Sequence, residues 1–325
     1  MRTGREDYQD AKDVESMVPA MRCCRDMETI QIEITNHCVN SCSNCTRFVG
    51  HAKPYFMELD QVKDGIDSLN GFLRMVGIMG GEPLLHPQFP EICKLMRERV
   101  PKERAGLWTC LPVGFERYRD EIVSTFGNIF LNDHSRDDVY HTPVLVASEE
   151  VFKGHEDDMP YIWDHCWLQN GWSASINPHG AFFCEVAAAM SMLFGIRMGW
   201  NVKPGWWKRV PKDYTDQIET FCPKCGVAIP LAKRCSTDGR DDISFGNLER
   251  LKDKSPKILA GKYIVHDLQI IPDSNQMAAY KDMNYRNKIA ERYGMFLVVN
   301  EKGYQTPYLK RKWRGNEKEI EKAVA

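Results

Sequence analysis

Short apolar runs separated by amphipathic stretches set the rhythm of the first half of the chain. Residues 30–35 (IQIEIT) alternate isoleucine with polar residues and read as a buried strand, with Asn36 and Asn40 as the break after it. Residues 59–73 place Leu59, Val62, Ile66, Leu69 and Leu73 at helical spacing, and the apolar run 76–79 follows as a second strand. The pattern predicts further helices over 89–100 and 117–126, with Cys93 on an apolar face. It predicts strands over 106–111, with Cys110 buried, over 128–131, and a fifth over 144–147, leaving a sixth unassigned. Strands and helices alternating at this spacing imply a parallel α/β sheet.

From Cys166 onward the pattern changes. Residues 172–176, a turn at Asn177-Pro178-His179-Gly180 and residues 181–186 read as a β-hairpin bracketed by Cys166 and Cys184. Cys222 and Cys225 form a CxxC hook, with Cys235 ten residues further on. The stretch 190–207, rich in Met, Gly and Trp, reads as a hydrophobic cover over the hairpin, although Trp206 and Trp207 beside Lys208 and Arg209 could instead stack on a sugar or base. Residues 275–293 are helix-like, 295–299 form a strand, and 310–314 are a basic, solvated tail that could contact an anionic substrate or partner.

Balanced charge, 43 basic against 45 acidic residues, gives no electrostatic argument for a nucleic-acid binder. The polar start and the lack of a long apolar run argue against a secretory signal or a membrane span. In 325 residues, twelve cysteines without a signal peptide point to metal binding in a reducing cytoplasm rather than to disulfides. Cys23 and Cys24, adjacent to each other, read as packing thiols.

Chemistry concentrates behind the first strand. Cys38, Cys42 and Cys45, spaced by three residues and then two, can curl around one centre and leave a fourth corner open. Zinc would take four ligands, and His37 or His51 could supply the last; an iron–sulfur cluster is the other reading. Gly80-Gly81-Glu82-Pro83 follows the second strand. Alone it could be a turn before a helix. Paired glycines also let a backbone approach a ligand closely, and Glu82 offers a carboxylate to an ammonium.

The C-x3-C-x2-C loop and the GGEP motif together resemble the radical S-adenosylmethionine (radical SAM) enzymes. That resemblance implies a partial (β/α)6 barrel over residues 28–160, following an extension over 1–27. It also implies a [4Fe–4S] cluster on Cys38, Cys42 and Cys45, whose open iron takes the amine and carboxylate of SAM. Reductive cleavage of SAM would give a 5′-deoxyadenosyl radical that abstracts a hydrogen atom from substrate. The glycine pair, Glu82 and Pro83 would bind the SAM amino group. Asn44 stands where the family usually carries an aromatic that shields the cluster and touches adenine. Asn132, Asp133 and His134, after the fourth strand, could touch ribose or substrate, or could be a turn and capping cluster; Thr109 lies at a comparable strand end.

Residues 161–260 resemble the twitch domain, a shortened SPASM-type α+β domain, with Gly180-x3-Cys184 in place of the usual G-x4-C. The resemblance implies one auxiliary [4Fe–4S] cluster on Cys166, Cys184, Cys222 and Cys225; zinc is the alternative. Cys235 would then be a cluster ligand in place of one of those four, a buried thiol, or a catalytic hydrogen-atom donor to the substrate radical, and residues 261–325 form a C-terminal extension. Peptide-modifying members carry a recognition domain ahead of the barrel, for which the residues before Cys38 leave no room. The expectation is therefore hydrogen abstraction from a small polar, carbohydrate-like substrate, ending in epimerisation or dehydrogenation, with flavodoxin or ferredoxin as electron donor. Modification of a ribosomal peptide is the second reading and a zinc-binding interaction module the third.

Overall fold

A computed structural model describes residues 23–266, except 135, 155, 165, 167, 170, 171, 230 and 232, together with a strand at 297–300. The helix expected over 275–293 and the basic tail lie outside the described residues, as does most of the N-terminal extension.

The core is a seven-stranded sheet in the order β11-β4-β3-β2-β1-β6-β7, with β6 (Ser173–Asn177) and β7 (Gly180–Phe182) at one edge and β11 (Leu297–Asn300) at the other; β5 (Tyr140–His141) and β8 (Arg234–Cys235) pair separately. Strands β1 (Thr29–Thr35), β2 (Met75–Gly80), β3 (Ala105–Thr109) and β4 (Asn128–Leu131) run parallel, each joined to the next through helices. The helices Leu59–Ser68, Phe89–Arg99 and Arg119–Thr125 occupy the predicted positions. The first ends early. Asn70 and Gly71, the latter at φ +85°, turn the chain after Ser68, so Phe72 is buried and Leu73 is 83% exposed.

Each central strand serves two faces. Ile30, Ile32, Ile34, Val76, Ile78, Leu107 and Ile129 join the large core under the helices, and Ile32 touches Gly65 of the first helix. The opposite face carries Glu33, Met79, Trp108 and Phe130. Trp108 lies across the backbone of β2: a Cβ on Gly77 would stand 2.2 Å from its ring. Trp108 and Phe130 stack with centroids 4.1 Å apart, and Trp172 meets both edge-on.

Two expectations about the sheet need correction. Residues 144–147 form no strand; Leu145 makes a single parallel bridge to Ile243 of β9 (Asp241–Ser244), which pairs with β10 (Tyr263–His266). The hairpin forms from β6 and β7, but its second arm stops short of Val186, where the helix Glu185–Phe194 has begun, and the hairpin extends the main sheet. Strand β6 pairs parallel with β1, with Thr29 opposite Ser173 and Ile32 opposite Ile176. Trp206 and Trp207 are buried, as expected of a cover. Trp206 Nε1 donates to Ser68 Oγ (3.1 Å) and Trp207 packs on Phe72, so they seal the end of the first helix.

Candidate functional site

The C-terminal ends of β1 to β4 open into one cavity, the side on which α/β barrels place their sites. Cys38, Cys42 and Cys45 of the loop after β1 line it, with Gly80 and Gly81 after β2, Cys110 after β3, and Asn132 and His134 after β4. Asn44, Arg47, Met79, Trp108, His141 and Glu185 also border it. Burial pushes the Cys38 thiol up to about 12 and raises Cys42 as well, so a metal centre here has to supply the charge that deprotonates them. His134 Nδ1 lies 3.7 Å from Cys42 Sγ. Neither His37 nor His51 is among the lining residues. His51 is spent on Ser255 (2.8 Å) and Asp241 (2.6 Å), which removes it as a fourth zinc ligand.

The glycine pair is required by the protein's own backbone. A Cβ on Gly80 would stand 2.1 Å from Thr35 O, and one on Gly81 2.3 Å from His37 O. The Gly81 and Glu82 amides donate to those same two carbonyls at 2.8 and 2.7 Å, so the GGEP turn fixes the start of the cysteine loop. Glu82 does not present its carboxylate to the cavity. It is fully buried, accepts from the Leu84 amide (3.0 Å), Thr109 Oγ1 (2.7 Å) and the Cys110 amide (2.7 Å), and ties the end of β3 to that of β2. Pro83 and Asp133 are likewise absent from the lining among the described residues, whereas Asn132 belongs to it.

Among the polar atoms bordering the cavity, Asn132 Oδ1, Trp108 Nε1 and Arg47 Nε are buried with no hydrogen-bond partner among the described residues. Buried polar groups are ordinarily satisfied, so such atoms mark where a ligand's groups belong. A loop of three thiols and these open polar atoms fit a cluster and a polar ligand bound side by side. Arg47 passes between the cavity and the sheet. Its guanidinium holds Glu33 (3.1 Å) and Glu185 (3.3 Å), all three buried, and Ser173 Oγ donates to Glu185.

A second, apolar cavity is lined by Cys166, Cys184, Cys222 and Cys225, with Trp163, Phe183 and Phe221. Burial raises all four thiols, Cys184 to about 12, and the neighbouring thiols raise Cys184, Cys222 and Cys225 further. Among the described residues no three His, Cys, Asp or Glu side chains close on a single ion. Four thiols around one cavity form a donor set that either an iron–sulfur cluster or a tetrahedral zinc ion can take. Cys235 lines neither cavity among the described residues; its Sγ lies 3.3 Å from Asp137 O and 3.2 Å from Thr237 Oγ1.

Sequence reasoning missed Arg47, Glu185, His141 and Cys110 as lining residues. Cys110 carried a signal, being the first residue past a strand end; Glu185, beside a cysteine, carried a weaker one.

Residues 32–129 match the model of the radical SAM superfamily. Among solved structures, the chain is similar to BtrN in complex with AdoMet and 2-DOIA, at 14% identity and a TM-score of 0.41, over 61% of this chain and 92% of that one. It is also similar to selenomethionine BtrN in an open conformation, at 16% identity and a TM-score of 0.36, over 62% of this chain and 87% of that one. No curated protein matches it. Among the described residues, no helix is long and apolar enough to cross a membrane.

Proposed function

We propose, from the radical SAM match over residues 32–129 and the cavity at the strand ends, that the chain is a radical SAM enzyme. It acts on a small, polar, carbohydrate-like substrate and ends in epimerisation or dehydrogenation. One observation carries the reading: three thiols, a glycine pair and unpartnered polar atoms from four successive parallel strands meet in one cavity. Cys38, Cys42 and Cys45 would hold a [4Fe–4S] cluster, with SAM against Gly80 and Gly81. Bound there, the cluster and SAM supply the 5′-deoxyadenosyl radical that removes a hydrogen atom from substrate. Asn132 Oδ1 offers an acceptor, and Trp108 Nε1 a donor, to hydroxyl groups of ribose or substrate. The stacked Trp108–Phe130 wall keeps water from one side of the cavity.

Cys166, Cys184, Cys222 and Cys225 are proposed to hold one auxiliary [4Fe–4S] cluster, and a flavodoxin or ferredoxin to deliver electrons. Cys110 lines the reacting cavity and Cys235 does not, so a thiol that quenches a substrate radical is better sought at Cys110.

Anaerobic incubation with SAM, a reductant and a panel of carbon-deuterated sugars and aminoglycosides tests the substrate class. Deuterium should appear in 5′-deoxyadenosine with a member of that panel. Deuterium transfer from a deuterated peptide alone would replace this reading with peptide modification.

A further inference from the structure

Asn44, the residue between Ser43 and Cys45, is 3% exposed and sits in the left-handed region at φ +50°. Asparagine tolerates that conformation, whereas a bulky side chain there is strained. Its side chain faces a strand almost two hundred residues away. Asn44 Nδ2 donates to Asp242 Oδ2 (2.7 Å), the Asp242 amide donates to Asn44 Oδ1 (2.8 Å), and the Asn44 amide donates to Asp241 Oδ1. Both carboxylates belong to β9 and are 1–2% exposed.

The same strand holds the loop at further points. Asp241 also receives Lys257 Nζ (2.8 Å) and His51 Nε2 (2.6 Å), and Lys257 Nζ reaches the carbonyl of Cys42 (2.8 Å). The Ser43 amide donates to Ser236 O (2.9 Å), and His141 Nδ1 meets Ser43 O (2.6 Å). Asp242 is held in turn by Arg234, through Nε (3.0 Å) and Nη2 (2.6 Å), and by His266 Nε2 (2.7 Å). Asp241, Asp242 and Lys257 lie out of water, so each depends on its partners; removing one leaves another buried and unpaired.

We propose that Asn44 is a positioning residue: with Asp241 and Asp242 it locks the loop that carries Cys38, Cys42 and Cys45 onto β9. The segment 234–266 thereby sets where the three thiols stand. The proposal rests on the reading above in taking a cluster as what the loop holds. It differs from an aromatic cover for adenine, because the side chain at 44 is committed to β9.

The test uses full-length Asn44→Asp, Asn44→Phe and the reciprocal swap Asn44→Asp/Asp242→Asn. The swap again pairs a carboxylate with an amide across the contact. In the metal-free protein, Asn44→Asp should speed amide exchange in residues 38–50 about tenfold or more, since exchange reports local opening, and the swap should restore most of the protection. After anaerobic reconstitution, Asn44→Asp and Asn44→Phe should lose the iron of this site, about half the total, while the swap regains it. Asn44→Phe with full iron and SAM affinity at or above that of the parent would overturn the proposal, as would a swap that restores neither protection nor iron. Should the parent cleave no SAM, the reading of function falls and the exchange pattern still decides the latch.

Discussion

Arg47 joins two carboxylates, Glu33 and Glu185, that are both buried, so its loss strands their charge. Arg47→Leu is predicted to cost about 3–5 kcal/mol, the usual cost of removing one member of a buried ionic group, read as a lowered denaturant midpoint. Gly77→Ala should also destabilise, by ~1–3 kcal/mol, because the added methyl meets the Trp108 ring and must displace it; a thermal melt measures this. His86 gives a pH dependence. The Gln88 amide donates to Nδ1, so Nε2 carries the proton it gives to Met57 O, and burial holds the imidazole below its ordinary range. A depressed folded pKa favours the folded state above about pH 6.5, and that contribution is lost as pH falls through the folded value. Stability should therefore drop on acidification below about pH 6.5 in the parent and drop less in His86→Gln, followed by melts across pH 5–8. At this scale the sequence was readable where partners are neighbours, as in the cysteine loop. Asn44 was not, because its partners lie 197 and 198 positions away.

Among the elements, the first four strands and their helices were legible because each follows a local period and carries its own stop. The exceptions have particular causes. Asn70 and Gly71 end the first helix before Leu73, although the apolar spacing runs on. Residues 144–147 are apolar enough for a strand but find only one bridge partner, Ile243, so their burial comes without a ladder. The hairpin was legible from alternation and turn residues, but its attachment was not, since pairing β6 with β1 is set by tertiary packing. Asn177 fastens the hairpin to the helix Glu185–Phe194: it donates to Ala188 O (2.6 Å) and accepts from the His179 amide (2.8 Å). Ser191 Oγ also donates to Ala188 O (2.7 Å), so Asn177→Ala is predicted to cost only about 1 kcal/mol, mainly from the lost turn bond to His179, detected by thermal melting.

In the whole molecule the two cysteine-lined cavities share a wall: Cys184 lines one, and the next residue, Glu185, lines the other and binds Arg47 from the loop of the first. The grouping of Cys38, Cys42 and Cys45 followed from spacing along the chain, and their meeting with the glycine pair from the radical SAM resemblance. Cys166, Cys184, Cys222 and Cys225 were legible as two separated pairs fit for a four-thiolate site, and the structure brings those four thiols into one cavity. The central claim is that the loop after β1 holds the SAM-cleaving centre. The most direct test replaces Cys38, Cys42 and Cys45 with alanine together and measures 5′-deoxyadenosine formed from SAM under anaerobic, reducing conditions. The product should disappear while iron bound by Cys166, Cys184, Cys222 and Cys225 remains; continued 5′-deoxyadenosine formation in the triple variant would rule out the assignment of the cleaving centre to this loop.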